Sequence, residues 1–416
     1  MQIMNKTTNQ DNQLFLLESH LCGLMIVLTF FGEHFKLFGF SLYCYPIIPC
    51  IFLLLANNNF KVQIIRRINF SRIETFPILL IIFSTFTLPF SFGSVGTQPY
   101  FKTVVTALIM LLVANNIYDE KSLELVMRYA LIGVIITAVA CGYELYTGHH
   151  FYTRALTDER LFRMGKNNSF GFQINVNDNA SLMALSVFIV IIYLKGKSFI
   201  SKVFLEFLAF VLLMITSAIG SRLVFLTLIV VSIEAVILLL ISRYTKGKVP
   251  RFIIGALIVI ICGFYLILFN VTGFLNSVSS AAYYNQDYAR VHYMQWSLKT
   301  ITPLSLLFGH GCGVTQQLIG GYSIHSVLVE FLCDNGIIVA SYLINLIIQI
   351  QFSFSDKINR IYGNFLSCFA TAFVFISFCS SSMLRIRSVW VYLVIMWKLY
   401  SLQLSQSDSD GGYIEA

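Results

Sequence analysis

Between Gly321 and Ile344 the chain reads GYSIHSVLVEFLCDNGIIVASYLI, an apolar run that nevertheless carries His325, Glu330 and Asp334. Each ionisable group placed in hydrocarbon costs on the order of 2.5–3.5 kcal/mol, so their presence calls for a reason. An imidazole can take a proton from an attacking hydroxyl. Ser323 is placed to cap a helix whose first turn holds His325, and the positive end of that helix favours the neutral, basic imidazole. Glu330 and Asp334, four residues apart, share one helix face. His325 and Glu330 are five apart, about 140° around a helix, so no histidine–glutamate dyad is expected. The plainer reading makes His325 structural and lets the carboxylates brace neighbouring helices by hydrogen bonding; alternatively they line a groove for an acceptor.

Four arginines supply the complementary chemistry. Arg222 sits in TSAIGSRLVF, where Ser221 can cap the following helix; the helix start and the guanidinium together make an anion seat. Arg290 opens YARVHYMQWSLKTITPLSLLFGHGCG, whose first part reads as an amphipathic helix with Tyr293 and Trp296 suited to a membrane interface. Its GHGCG turn would let backbone come close to a ligand. Arg385 and Arg387 precede the last apolar run. Arginine presents a planar fork matched to phosphate oxygens, whereas lysine is a mobile point charge. Snorkelling to lipid headgroups is the alternative for each arginine taken singly. In NVNDNA, Asn177 or Asp178 is read as a helix cap. No cluster has metal-ligand spacing, and neither metal nor cofactor is expected.

The elements that must hold these residues follow from composition. Of 416 residues 57% are hydrophobic and 12% charged, with a mean hydropathy of +0.77, against about 25% charged residues in ordinary soluble chains. Apolar runs of bilayer-crossing length recur from Leu14–Phe31 to Ser388–Leu404, with Phe252–Asn270 and Ser326–Ile350 among them. The expectation is an all-α, polytopic transmembrane bundle of about twelve spans, one domain over 1–404 followed by a disordered cytoplasmic tail, 405–416. Asp408–Asp410 spells D-S-D there, and a metal-dependent transferase role is set aside because the tail is acidic and low in complexity. Lysine and arginine distribution puts both termini in the cytoplasm and two long loops, 147–178 and 271–324, outside. Arg154, Arg160 and Arg163 fall in the first of these loops. The net charge of +8 lies between apolar runs, which points to the lipid bilayer rather than nucleic acid. The cysteines sit mostly within apolar runs, show no disulfide or zinc spacing, and act as small apolar residues. No cleaved signal peptide is expected.

In order, these segments resemble the O-antigen polymerase and ligase superfamily of bacterial envelope glycosyltransferases. The resemblance runs through NVNDNA, GSRLVFL, YARVHYMQWSL, GHGCG and HSVLVEFLCDNG, and covers roughly the latter three-fifths of the chain. Ser326 stands where an asparagine after the histidine is commoner, and NVN replaces a proline-containing N-P-N. The resemblance implies a GT-C-like bundle in the bacterial inner membrane with its active site facing the periplasm. The substrate would be an undecaprenyl-pyrophosphate-linked oligosaccharide, transferred without metal, with a chain-length regulator protein as a partner. It assigns Arg222 and Arg290 to the pyrophosphate and His325 to proton transfer or acceptor positioning, with Arg385 and Arg387 assisting. A polymerase is favoured over a ligase acting on lipid A-core, on the LFGHGCG turn. A lipid-linked oligosaccharide transporter is the alternative of a different class, disfavoured because the ionisable groups cluster toward one end of the later spans and no inverted repeat is visible.

Overall fold

A computed structural model of the chain describes residues 17–33, 35–56, 73–92, 97–151, 169–173, 175–194, 197–219, 221–244, 292–355, 360–378 and 383–411. Helices dominate them: α1 (Leu17–Thr29), α2 (Cys44–Ala56), α3 (Thr75–Phe92), α4 (Gln98–Asn116), α5 (Glu120–Thr147), α6 (Val176–Tyr193), α7 (Phe199–Ala218) and α8 (Arg222–Tyr244). The second half contributes α9 (292–299), the short α10 (Pro303–Phe308) and α11 (Val314–Leu318), then α12 (Val327–Gln351), α13 (Arg360–Ser377) and α14 (Arg387–Gly411). A two-residue antiparallel ladder, Lys36–Leu37 against Phe40–Ser41, is the one strand pairing among the described residues.

The described residues are mostly helical, and among them six helices are long and apolar enough to cross a membrane. The expected segments that fall among the described residues are helical; Phe252–Asn270 lies outside them. Helix α14 runs on to Gly411, into the segment expected to be a tail.

Burial follows apolar pattern. A helix that is apolar all round belongs inside a bundle, and α6 is buried from Asp178 to Val190, as α14 is from Arg387 to Trp397. Trp390 on α14 meets Phe76 of α3, Phe331 of α12 and Phe373 of α13 with ring centroids 5.6–6.0 Å apart. Its indole N–H donates to the Met383 carbonyl at 2.9 Å. At the periphery, α7 turns Phe199, Phe204, Phe207 and Phe210 outward, a continuous apolar face suited to lipid.

Local signals fix the helix ends. Asp119 and Ser122 form a reciprocal capping box on α5, and Gly148 closes it in the left-handed conformation. Asn175, rather than Asn177 or Asp178, caps α6 by accepting from the Asn177 N–H. Proline opens α4 in its first turn, where no amide partner is lost.

Candidate functional site

The acidic residues of the quoted segment acquire their explanation from a break. Helix α12 is interrupted at Gly336, whose φ of 83° and ψ of 173° no ordinary residue adopts comfortably. An interruption frees carbonyls that an intact helix would use. The loop after α10 takes them: His310 N donates to Cys333 O at 2.8 Å and Gly311 N to Asp334 O at 2.9 Å. The two backbones touch so closely that a Cβ on Gly309 would lie 2.1 Å from Asp334 O, and one on Gly336 would lie 2.3 Å from Leu307 O. Within GHGCG, Gly309 allows approach to the protein's own helix, while Cys312 and Gly313 line the cavity described below.

Asp334 completes this junction. Its carboxylate accepts the Gly313 N–H at 2.7 Å and the Thr315 N–H at 3.1 Å, capping α11 from a distant point in the chain. Next to it Asn335 donates to Ser84 Oγ of α3 at 3.1 Å. An acid in an apolar run is thus a bracket for an irregular loop, tolerated at such a depth where protein rather than lipid surrounds it.

A cavity of about 320 Å³ opens beside the junction, at the end of the bundle where α4, α12 and α14 begin. Lys102, Glu330, Asp334, Asn335 and Arg385 line it together with Gln98. Beneath it runs an ionic chain: Glu33, just after α1, pairs with Lys102 Nζ at 2.8 Å and with Arg387 Nη1 at 2.6 Å. Arg387 also donates to the Arg385 carbonyl at 2.8 Å and lies over the Tyr43 ring, 5.1 Å from its centroid. Burial alone would raise the Glu33 carboxyl, but Arg387 and Lys102 outweigh it and bring it down to about 2. Because that value is depressed below the ordinary 4.5, the pairing stabilises the fold fully above pH 4.5 and weakens as pH falls toward 2. Thermal melts of the detergent-solubilised protein should accordingly lose more stability across that acid window than melts of Glu33→Gln; equal losses would remove Glu33 from the account.

The expected site residues divide. Glu330, Asp334 and Arg385 share the cavity. Arg387 is 1% exposed, pairs with Glu33 and is not among the residues that line the cavity. Its burial follows from the approach of the Glu33 loop and Tyr43 over the start of α14. His325 is not in the first turn of α12: Ser326, not Ser323, is the cap. The histidine precedes it with φ of 54°, a left-handed conformation shared among described non-glycine residues only by Phe38. Neither His325 nor Tyr293 lines the cavity; Tyr293 stacks on Tyr322 at 4.3 Å, from α9. Arg222 is the first residue of α8, a helix packed mainly on α13. Arg290 lies outside the described residues, as do Arg154, Arg160 and Arg163.

Sequence reasoning missed Lys102 and Glu33. For Lys102 a basic residue just inside a proline-opened helix was the available signal. It also missed two buried carboxylates. Glu144, at the end of α5, accepts from Phe151 N, Ser169 Oγ, Phe170 N and Gly171 N at 2.7–2.8 Å, joining both ends of the long loop that follows. Glu234 lies within α8. Among the described residues no group of histidine, cysteine and acidic side chains could hold a metal. Compared with protein-family models, with curated proteins and with solved structures, the chain finds no match in any of the three.

Proposed function

We propose that the protein is a metal-independent glycosyltransferase of the O-antigen polymerase kind, a twelve-span GT-C-like bundle of the bacterial inner membrane. It would join undecaprenyl-pyrophosphate-linked repeat units at the periplasmic face. The observation that carries this reading is the cavity at one end of an apolar bundle, with a guanidinium, an ammonium and a carboxylate on its walls. A lipid-borne sugar diphosphate needs that combination: an apolar flank for the carrier, fixed cations for the leaving group, and a base for the incoming hydroxyl.

In this reading the acceptor hydroxyl attacks the anomeric carbon, the bond from that carbon to the pyrophosphate oxygen breaks, and the diphosphate leaves on its lipid. Arg385 and Lys102 stabilise the charge that builds on it, preorganised by the Glu33 and Arg387 chain beneath. Glu330, on the same wall, takes the hydroxyl proton. His325, held in a strained conformation before the α12 cap, positions the acceptor. Arg222 and Arg290 extend the cation set toward the diphosphate. Asp334 is spent on the loop and is left out of the chemistry.

The test is complementation of a deletion strain, read as surface glycolipids on a gel beside the amount of protein in the membrane. Arg385→Ala keeps the carbonyl that Arg387 binds, so it should insert normally while polymerisation falls by about 10². Glu330→Gln should do the same. Loss of polymerisation leaves lipid A-core carrying a single repeat. Full-length polymer stranded on its carrier would instead mark a ligase, and unpolymerised units on the cytoplasmic side a transporter. Normal ladders from both variants would remove the cavity from the reaction.

A further inference from the structure

We propose that Glu234, Gln351, Ser367 and Thr371 form a buried site for one monovalent cation, sodium, with a proton taking its place when sodium is absent. Glu234 is 1% exposed and sits midway along α8, inside a span-length apolar helix. Its Oε1 accepts from Gln351 Nε2 at 3.2 Å and from Ser367 Oγ at 3.1 Å. Gln351 Nε2 also donates to Ser367 Oγ at 2.7 Å, and Thr371 Oγ1 donates to Gln351 Oε1 at 3.2 Å. The other carboxyl oxygen, Oε2, is buried without a hydrogen-bond partner.

Three helices converge here: α8 brings the carboxyl, the end of α12 the amide, and α13 two hydroxyls four residues apart on one face. The stripe continues one turn earlier with Asn364, whose Oδ1 is likewise buried and unpartnered. Among the described residues no lysine, arginine or histidine pairs with Glu234, and Cys368 is its titratable neighbour. An ionised carboxylate in that position needs a compensating positive charge.

The donor set chooses the ion. All the ligands offered are oxygens, which suit hard cations. A single carboxylate neutralises one positive charge, whereas a divalent ion would leave net charge in hydrocarbon. Rotation of the Gln351 amide would bring its carbonyl, in place of its nitrogen, beside Glu234 Oε1, and hydroxyls can accept metal as readily as they donate hydrogen. Gln351 lies about 21 Å beyond the Gly336 break along α12, so the site stands or falls independently of the proposed transferase chemistry.

Dicyclohexylcarbodiimide, which modifies protonated carboxyls in apolar surroundings, tests this on the full chain in proteoliposomes, with the label located by peptide mass spectrometry. Glu234 should label in choline chloride, and saturating sodium should slow the labelling about tenfold, the protection expected near nine times Kd. Ser367→Ala with Thr371→Ala should still label while the sodium concentration for half-protection rises at least about tenfold. Labelling that sodium leaves unchanged, or protection that survives loss of both hydroxyls, would make the cluster a hydrogen-bonded brace and overturn the proposal. Absence of labelling in the native chain with and without sodium would overturn it equally.

Discussion

Gly336→Ala is expected to destabilise the protein by about 4 kcal/mol or more, a loss reserved for changes with an identifiable steric or polar cause. Two effects combine. A residue with a Cβ at φ of 83° and ψ of 173° carries about 1–3 kcal/mol of backbone strain. The new methyl would also lie 2.3 Å from Leu307 O and 2.9 Å from Gly309 N, both backbone atoms that cannot swing aside. Moving the loop away strips the Cys333 and Asp334 carbonyls of the His310 and Gly311 amides, at about 1–3 kcal/mol for each buried group left unpaired. Gly309→Ala should cost nearly as much, and the double variant less than the sum, because both disrupt one contact. Gly39 is the control: its φ is 87°, yet nothing lies within 4 Å of a Cβ there, so alanine pays strain alone. Thermal or denaturant unfolding in detergent ranks the four variants; equal losses at Gly39 and Gly336 would dismiss the backbone contact.

The next largest loss is expected at Arg387. Removing one partner of a buried ion pair costs about 3–5 kcal/mol because the other charge stays behind. Arg387→Ala leaves Glu33 with Lys102 alone and withdraws the guanidinium from the Arg385 carbonyl and the Tyr43 ring. Arg387→Lys should rescue only partly, since an ammonium cannot reproduce the planar fork. Arg387→Met with Glu33→Gln should recover most of the loss, as buried pairs replaced together often do. Failure of that recovery in unfolding measurements would place the stabilisation elsewhere. Unlike Arg385→Ala, whose expected effect is on turnover with folding intact, Arg387→Ala should lower the amount of folded protein.

These contrasts mark what a linear reading can reach. Hydropathy located the helices because each apolar run is a local property of the chain, and α12 and α14 begin within a residue or so of their expected starts. Glu330 and Asp334 were legible as neighbours from their four-residue spacing, and the structure keeps them on one cavity wall. The break between them and the second half of α12 was not, although D-N-G within an apolar run is a turn signal. Hydropathy averages over it. Arg385 and Arg387, two residues apart, were indistinguishable by type; one lines the cavity and the other is enclosed because the Glu33 loop happens to cross it. Glu33 and Lys102 are far apart in sequence from Arg387, and no spacing rule joins residues brought together only by helix packing. His325 was placed one step too far into its helix, since Ser323 and Ser326 are equally good caps on paper and the left-handed turn at His325 decides between them.

The grip of Glu144 has a consequence for divergence. Three of the four donors it binds, at Phe151, Phe170 and Gly171, are main-chain amides, which almost any amino acid supplies. The stretch of chain between those anchor points is therefore free to change its residues from one descendant to another without loosening its own foundations. Divergence can rewrite it while α5 and α6, which hold the anchor points, stay as they are.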